Sequence, residues 1–154
     1  MITLINRQRS IPIDIVWLEK LVAAVLDSID YSDFNVQILI TTNKTIATYN
    51  EGYRNKKGPT DILSFRFYPE QVPGKKVYAE NGEQNIGDLI LSAEYIVRSA
   101  KKLGISFEHR LMILCIHGIV HLLGYDHETD QDYAQMQAVE DTILAQLPSK
   151  LIKK

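Results

Sequence analysis

Three of the four histidines in this 154-residue chain fall in one short stretch, His117-Gly118-Ile119-Val120-His121-Leu122-Leu123-Gly124-Tyr125-Asp126-His127. On a helix, His117 and His121 lie on one face, about one turn (~6 Å of rise) apart, and two imidazoles so placed can hold one metal ion. Gly124 supplies a residue that tolerates the left-handed conformation after a last helical turn. The chain can bend there and return His127 as a third ligand. Three neutral nitrogen donors, with a water in the fourth position, are the composition of a catalytic zinc site. The expectation is one Zn2+ per chain.

The spacing matches the ligand frame of the metzincin proteases, H-E-x-x-H-x-x-G-x-x-H, at all three ligands and at the glycine. It differs where Gly118 replaces their glutamate. A zinc peptidase uses that carboxylate to take a proton from the metal-activated water and pass one to the leaving amine. The metal frame without its base argues against ordinary proteolysis. A bland alternative has the histidines as hydrogen-bonded core residues. Three of them at ligand spacing, after a run as apolar as Leu111-Met112-Ile113-Leu114-Cys115-Ile116, speak for the metal, since buried imidazoles need partners.

The rest of the chain must position that stretch. Its length suits one domain over residues 1–154 with a core of its own. With 17 Lys and Arg against 19 Asp and Glu the chain is no polycation, so nucleic acid would have to meet a local basic patch. The single cysteine, Cys115, reads as a buried, inert thiol. Arg7 and Arg9 are followed by Asp14, Glu19 and Lys20, which is no signal-peptide pattern, and the longest apolar run is too short to span a bilayer. A cytoplasmic protein without membrane contact is expected.

In chain order, residues 2–7 read as a strand, and Ser10 with Pro12 should open a helix to about Ser28. Its stripe of Ile15, Leu18, Val22, Val25 and Leu26 is core. A strand over 34–40 should lead to a helix capped by Thr42 or Asn43 and ending near Tyr53. A basic loop, 54–61, precedes a strand at 62–67. Residues 69–84, with Pro73-Gly74 and Asn81-Gly82, should form an exposed hairpin or excursion, and 86–91 the last strand. Ser92 and Gly104 bound a helix over 93–103, and Ser106 caps the histidine helix to Leu123. Thr129 or Asp130 starts a final helix stopped by Pro148, and the tail 150–154 should fray. This order gives an α/β or α+β domain, a small mixed sheet packed with about five helices and the metal site on a central helix and the loop after it.

Three stretches together resemble the YbeY family of bacterial metal-dependent endoribonucleases. His117-Gly118-x-x-His121-Leu122-x-Gly124-Tyr125-Asp126-His127 is similar to the family signature. Asn50-x-x-Tyr53-Arg54 followed by Pro59-Thr60-Asp61-Ile62-Leu63-Ser64-Phe65 resembles a second motif, and Gly87-Asp88-Leu89-Ile90-Leu91-Ser92 a third. The chain departs from the pattern at Arg66, where the family often has Pro, and at Val120, where Leu is common. The resemblance implies a zinc-dependent, single-strand-specific endoribonuclease of 16S ribosomal RNA 3′-end maturation and ribosome quality control. Its partners would be single-stranded ribosomal RNA and the ribosome or small subunit. It also implies His117, His121 and His127 as zinc ligands and Arg54 as an active-site arginine.

The residues are consistent with that chemistry. A three-histidine zinc brings the pKa of its water towards about 7, and phosphodiester cleavage then gains more from a cation than from the absent glutamate. Arg54 can bind phosphate bidentately; otherwise it is a solvated charge near a helix C-terminus. Asp126 either orients an imidazole, handles a proton, or simply forms a turn. Lys56, Lys57 and Arg66 are candidate contacts to the RNA backbone. Tyr53 and Tyr125 could stack bases, although packing is the commoner fate of such residues. Two other readings stay open: a metallohydrolase of amide or peptide bonds with its base elsewhere, and a ribosome-associated protein with structural zinc.

Overall fold

The computed structural model describes residues 1–79 and 82–154. Four strands, β1 (Ile2–Asn6), β2 (Asn35–Thr41), β3 (Ile62–Arg66) and β4 (Asn85–Ser92), form one sheet in the order β1-β2-β4-β3. β1 and β4 run parallel to β2, and β3 returns antiparallel to β4. β3 is therefore a sheet edge, paired on one side only. The helices are α1 (Ile15–Ser28), α2 (Asn43–Arg54), α3 (Ala93–Leu103), α4 (Phe107–Leu122) and α5 (Asp130–Gln146). This is the expected single α+β domain with a mixed sheet and five helices.

Position in the fold explains the composition of α4. Leu111, Met112, Leu114, Cys115, Ile116, Ile119, Val120 and Leu122 are all buried, because sheet, α1, α3 and α5 surround this helix. A helix apolar nearly all round is a core helix. α1 adds Trp17, Leu18, Leu21, Val22, Val25 and Leu26 to the same core. Each such aliphatic side chain stabilises the fold by about 1.5–3 kcal/mol. Side chains alternate across the sheet, so Leu89 meets α4 while its neighbour Ile90 joins Ile46 of α2 and Leu63 in a smaller cluster.

Capping chemistry sets most helix boundaries. Thr42, Ser92, Ser106 and Thr129 each accept a backbone N–H of the first turn, and Gly104 ends α3 in the left-handed conformation. Glu94 also accepts the Asn43 N–H at 2.7 Å, tying the start of α2 to the start of α3. No single helix is long and apolar enough to cross a membrane, among the described residues.

Two expectations need correction, and a third resolves to one of its two alternatives. α1 starts at Ile15 with Asp14 as its cap, not at Ser10 and Pro12; the Asp14 carboxylate accepts the Trp17 N–H at 2.9 Å. Pro12 disfavours helical backbone at Ile11, and the Gln8 amide engages both the Ile11 N–H and its carbonyl. Between β3 and β4 the described residues form the excursion, the second of the two expected forms, with turns and no paired hairpin; the expected Asn81-Gly82 turn lies partly outside the described residues. That excursion is anchored, since Val77 is buried and its N–H donates to the Tyr31 hydroxyl at 2.8 Å. The tail 150–154 does not simply fray. Ser149–Leu151 makes a 3₁₀ turn, Leu151 is buried, and its carbonyl accepts the Trp17 indole N–H at 2.9 Å.

Candidate metal centre

His117 and His121 project from the last two turns of α4, both half-buried, and His127 is exposed on the loop that follows. Gly124 makes the return possible. Its φ is +102°, and a Cβ there would fall on the carbonyl oxygen of Gln71, in the excursion that packs behind the turn. The ligand nitrogens of His117, His121 and His127 all lie within 4.8 Å of one another.

Each helical imidazole is held by its other nitrogen. His121 Nδ1 faces the Tyr125 carbonyl at 2.8 Å, and a carbonyl only accepts, so Nδ1 carries the proton and Nε2 the lone pair. His117 Nδ1 lies 2.9 Å from a carboxylate oxygen of Glu140, on α5, which fixes the same tautomer. A carboxylate behind a histidine orients the ring and raises its basicity towards a metal. Burial, and next the neighbouring His117, push the His121 pKa down to about 4, so the ring is neutral at pH 7. Two pre-oriented nitrogen donors and a third on the loop, with no fourth protein ligand in the cluster among the described residues, fit a divalent metal with an open position.

Gly118 has a structural cause. A Cβ there would stand 2.7 Å from Ile62 Cδ1 and 2.8 Å from Leu89 Cδ2, so α4 lies directly against the sheet at this point. A larger side chain there must displace the ends of the Ile62 and Leu89 side chains or lift the helix. The position at which a peptidase carries its base is a tightly packed glycine here.

The centre opens into a cleft of about 610 Å³ walled by all of β3, by Thr60 and Asp61 before it, and by Arg54, Pro69, Asp126 and the three histidines. Arg54 ends α2, where Asn55 caps the helix in the left-handed conformation, and has no ion-pair or hydrogen-bond partner among the described residues. The other charges are engaged. Asp61 pairs with Arg110 at 3.3 Å, and Arg66 donates to the carbonyls of His121 at 2.7 Å and Tyr125 at 3.1 Å. Arg66, read from sequence as an RNA contact, thus lines the cleft but spends its guanidinium bracing the end of α4 and the metal loop. Lys56 and Lys57 are exposed beyond Arg54 and are not among the cleft-lining residues. Asp126 lines the cleft and accepts the His127 N–H at 2.8 Å, so its turn-forming reading has a visible partner.

Glu140 escaped the sequence reading. The available signal was its place between Met136 and Ile143 on the inner stripe of α5, where a carboxylate needs a partner.

The family model described as Endoribonuclease YbeY matches residues 3–148 of the chain. Proteins named Endoribonuclease YbeY are similar over most of its length. That of Bartonella bacilliformis is 37% identical over 134 residues, covering 86% of this chain and 81% of the relative. That of Sulfurovum sp. is 34% identical, covering 96% and 93%, and that of Syntrophotalea carbinolica 32%, covering 99% of each. A Thermotoga maritima protein solved in solution shares the fold with a TM-score of 0.60 at 22% identity, covering 94% of this chain and 90% of that one.

Proposed function

Because the chain belongs to the YbeY endoribonuclease family, we propose that it cleaves single-stranded RNA internally, with zinc as its metal. The further reading is maturation of the 16S ribosomal RNA 3′ end and ribosome quality control, in the cytoplasm and in contact with the small ribosomal subunit. One observation supports it above the others: three convergent histidines and an arginine unpaired among the described residues share one open cleft.

His117, His121 and His127 would hold the ion, with Glu140 and the Tyr125 carbonyl fixing two of the rings. The bound metal would supply Lewis-acid polarisation of the scissile phosphate and activation of water. Arg54 is free to bind the phosphoryl oxygens on which charge grows, a role the guanidinium fork suits. Asp126, beside the ligands in the same cleft, is the candidate to orient or take up a proton. An amide hydrolase is the poorer reading, since Gly118 stands where a peptidase carries its base and is crowded by Ile62 and Leu89.

The test is cleavage of a labelled single-stranded RNA by wild type, Arg54→Ala and His121→Ala, with metal content and thermal unfolding measured for each. Arg54→Ala should keep metal and fold while losing turnover about 10²–10³-fold, the scale for removing one donor to a developing charge. His121→Ala should lose both metal and activity. Wild type that carries metal and leaves RNA intact would overturn the assignment.

A further inference from the structure

One residue before the end of α2, an aromatic side chain stands in the open beside the cleft. Tyr53 is 71% exposed and belongs to neither buried cluster of the fold. Its ring is nevertheless held. Tyr49, four residues earlier on the same helix, stacks against it with centroids 6.1 Å apart and planes 15° from parallel. Phe65 of β3 meets it edge-on at 5.3 Å. Phe65 itself lines the cleft that contains the histidines, and so does Arg54, the next residue after Tyr53.

A tyrosine recruited only for packing would be covered; this one is supported from behind and presented to solvent. We propose that Tyr53, on its Tyr49–Phe65 support, is a stacking step for one unpaired nucleobase of the RNA strand whose phosphate Arg54 binds. The inference rests on the ribonuclease reading and deepens it.

The chemistry favours a nucleobase as occupant. Stacking on an aromatic ring is tolerant of sequence because every base has a π-face, and it contributes about 1–3 kcal/mol per base. A phosphate anchor beside the ring fits a nucleotide, which offers an anion and a flat apolar face a few bonds apart. Bases inside a duplex have both faces covered by their neighbours and cannot reach such a ring without being extruded. The step would therefore select single strands without reading sequence. A ring already held by two neighbours also loses little side-chain freedom on binding.

The experiment measures binding of a short fluorescein-labelled single-stranded RNA by anisotropy in the cold, with RNA integrity checked on a gel. Wild type, Tyr53→Ala, Tyr53→Phe and the surface control Tyr78→Ala (79% exposed in wild type) are compared. Tyr53→Ala should weaken binding about five-fold or more, the lower end of the stacking range. Tyr53→Phe and Tyr78→Ala should stay within about two-fold, since a ring remains in the first and the second leaves the step intact. A scan of abasic substitutions along the RNA should find one position at which wild type falls to the Tyr53→Ala level while that variant loses nothing more. Duplex RNA should not distinguish the proteins.

Equal binding by wild type and Tyr53→Ala, or a loss identical for duplex and single strand and untouched by the abasic scan, overturns the proposal. Cleavage is scored separately. Binding that depends on Tyr53 without cleavage removes the ribonuclease reading and keeps the step, whereas cleavage together with binding indifferent to Tyr53 does the reverse.

Discussion

Glu140 carries the clearest consequence at the residue scale. Its carboxylate holds Nδ1 of His117 at 2.9 Å. Glu140→Gln can keep a hydrogen bond but not the charge, and metal affinity should fall about 10–100-fold in a chelator competition, with the fold retained. Unchanged affinity would reduce Glu140 to a packing residue. His121 sets a pH dependence for the metal-free protein. Its folded pKa is pushed down from 6.5 to about 4, chiefly by burial. As pH falls below 6.5 the unfolded chain takes up the proton first, so stability is lost from there down to about pH 4 and levels off below. Urea midpoints of metal-free wild type against His121→Asn should show this extra acid sensitivity only in the wild type. The histidine triad was legible because its spacing is local. Glu140 was not, because its partner is 23 residues away and only the packing of α5 on α4 joins them.

At the scale of elements, the contact of α4 with β3 and β4 decides where His117 and His121 stand. Gly118 is the point of closest approach, so Gly118→Ala pushes a methyl into Ile62 and Leu89. Overpacking of this kind costs about 1–3 kcal/mol. The melting temperature should drop and metal binding should weaken, although no ligand has been touched. A variant as stable as wild type would mean that the helix is less tightly seated than described. The helix ends themselves were readable: Thr42, Ser92, Ser106 and Thr129 are polar residues just before amphipathic runs, and each accepts its first-turn N–H. The start of α1 misled because Ser10 and Pro12 carry start signals of the same kind. There the Gln8 side chain serves Ile11 in a non-helical turn, which no local propensity announces.

Across the whole molecule, the end of the chain closes the core. The Trp17 indole donates to the Leu151 carbonyl, Lys153 Nζ stands 5.8 Å from the Trp17 ring, and the Lys153 carbonyl lies 2.7 Å from His109 Nδ1. Removing residues 149–154 should destabilise the fold by about 2–4 kcal/mol, one buried leucine and one buried hydrogen bond together. Trp17 is the only tryptophan, so its emission should shift to the red in the folded truncated protein. An unshifted spectrum and unchanged melting would show that the tail is dispensable. A run of lysines reads as solvated because charge is a local property of sequence, whereas a docking site 134 residues away is not.

The sequence by itself determined what depends on near neighbours along the chain: three imidazoles at ligand spacing, the glycine that lets the third return, the caps, and the apolar stripes of α1 and α4. Those signals were enough for the fold class and for the three-histidine cluster, since helix period and turn chemistry act within a few residues. Only the tertiary structure decided what depends on the meeting of distant segments. It set the order β1-β2-β4-β3, which leaves β3 as an edge beside the histidines, and it brought Arg54 of α2 into the same cleft. It also gave Arg66 a bracing role, put Glu140 behind His117, and seated α4 at Gly118 on Ile62 and Leu89. Packing makes those pairings, and no single segment carries both halves of any of them.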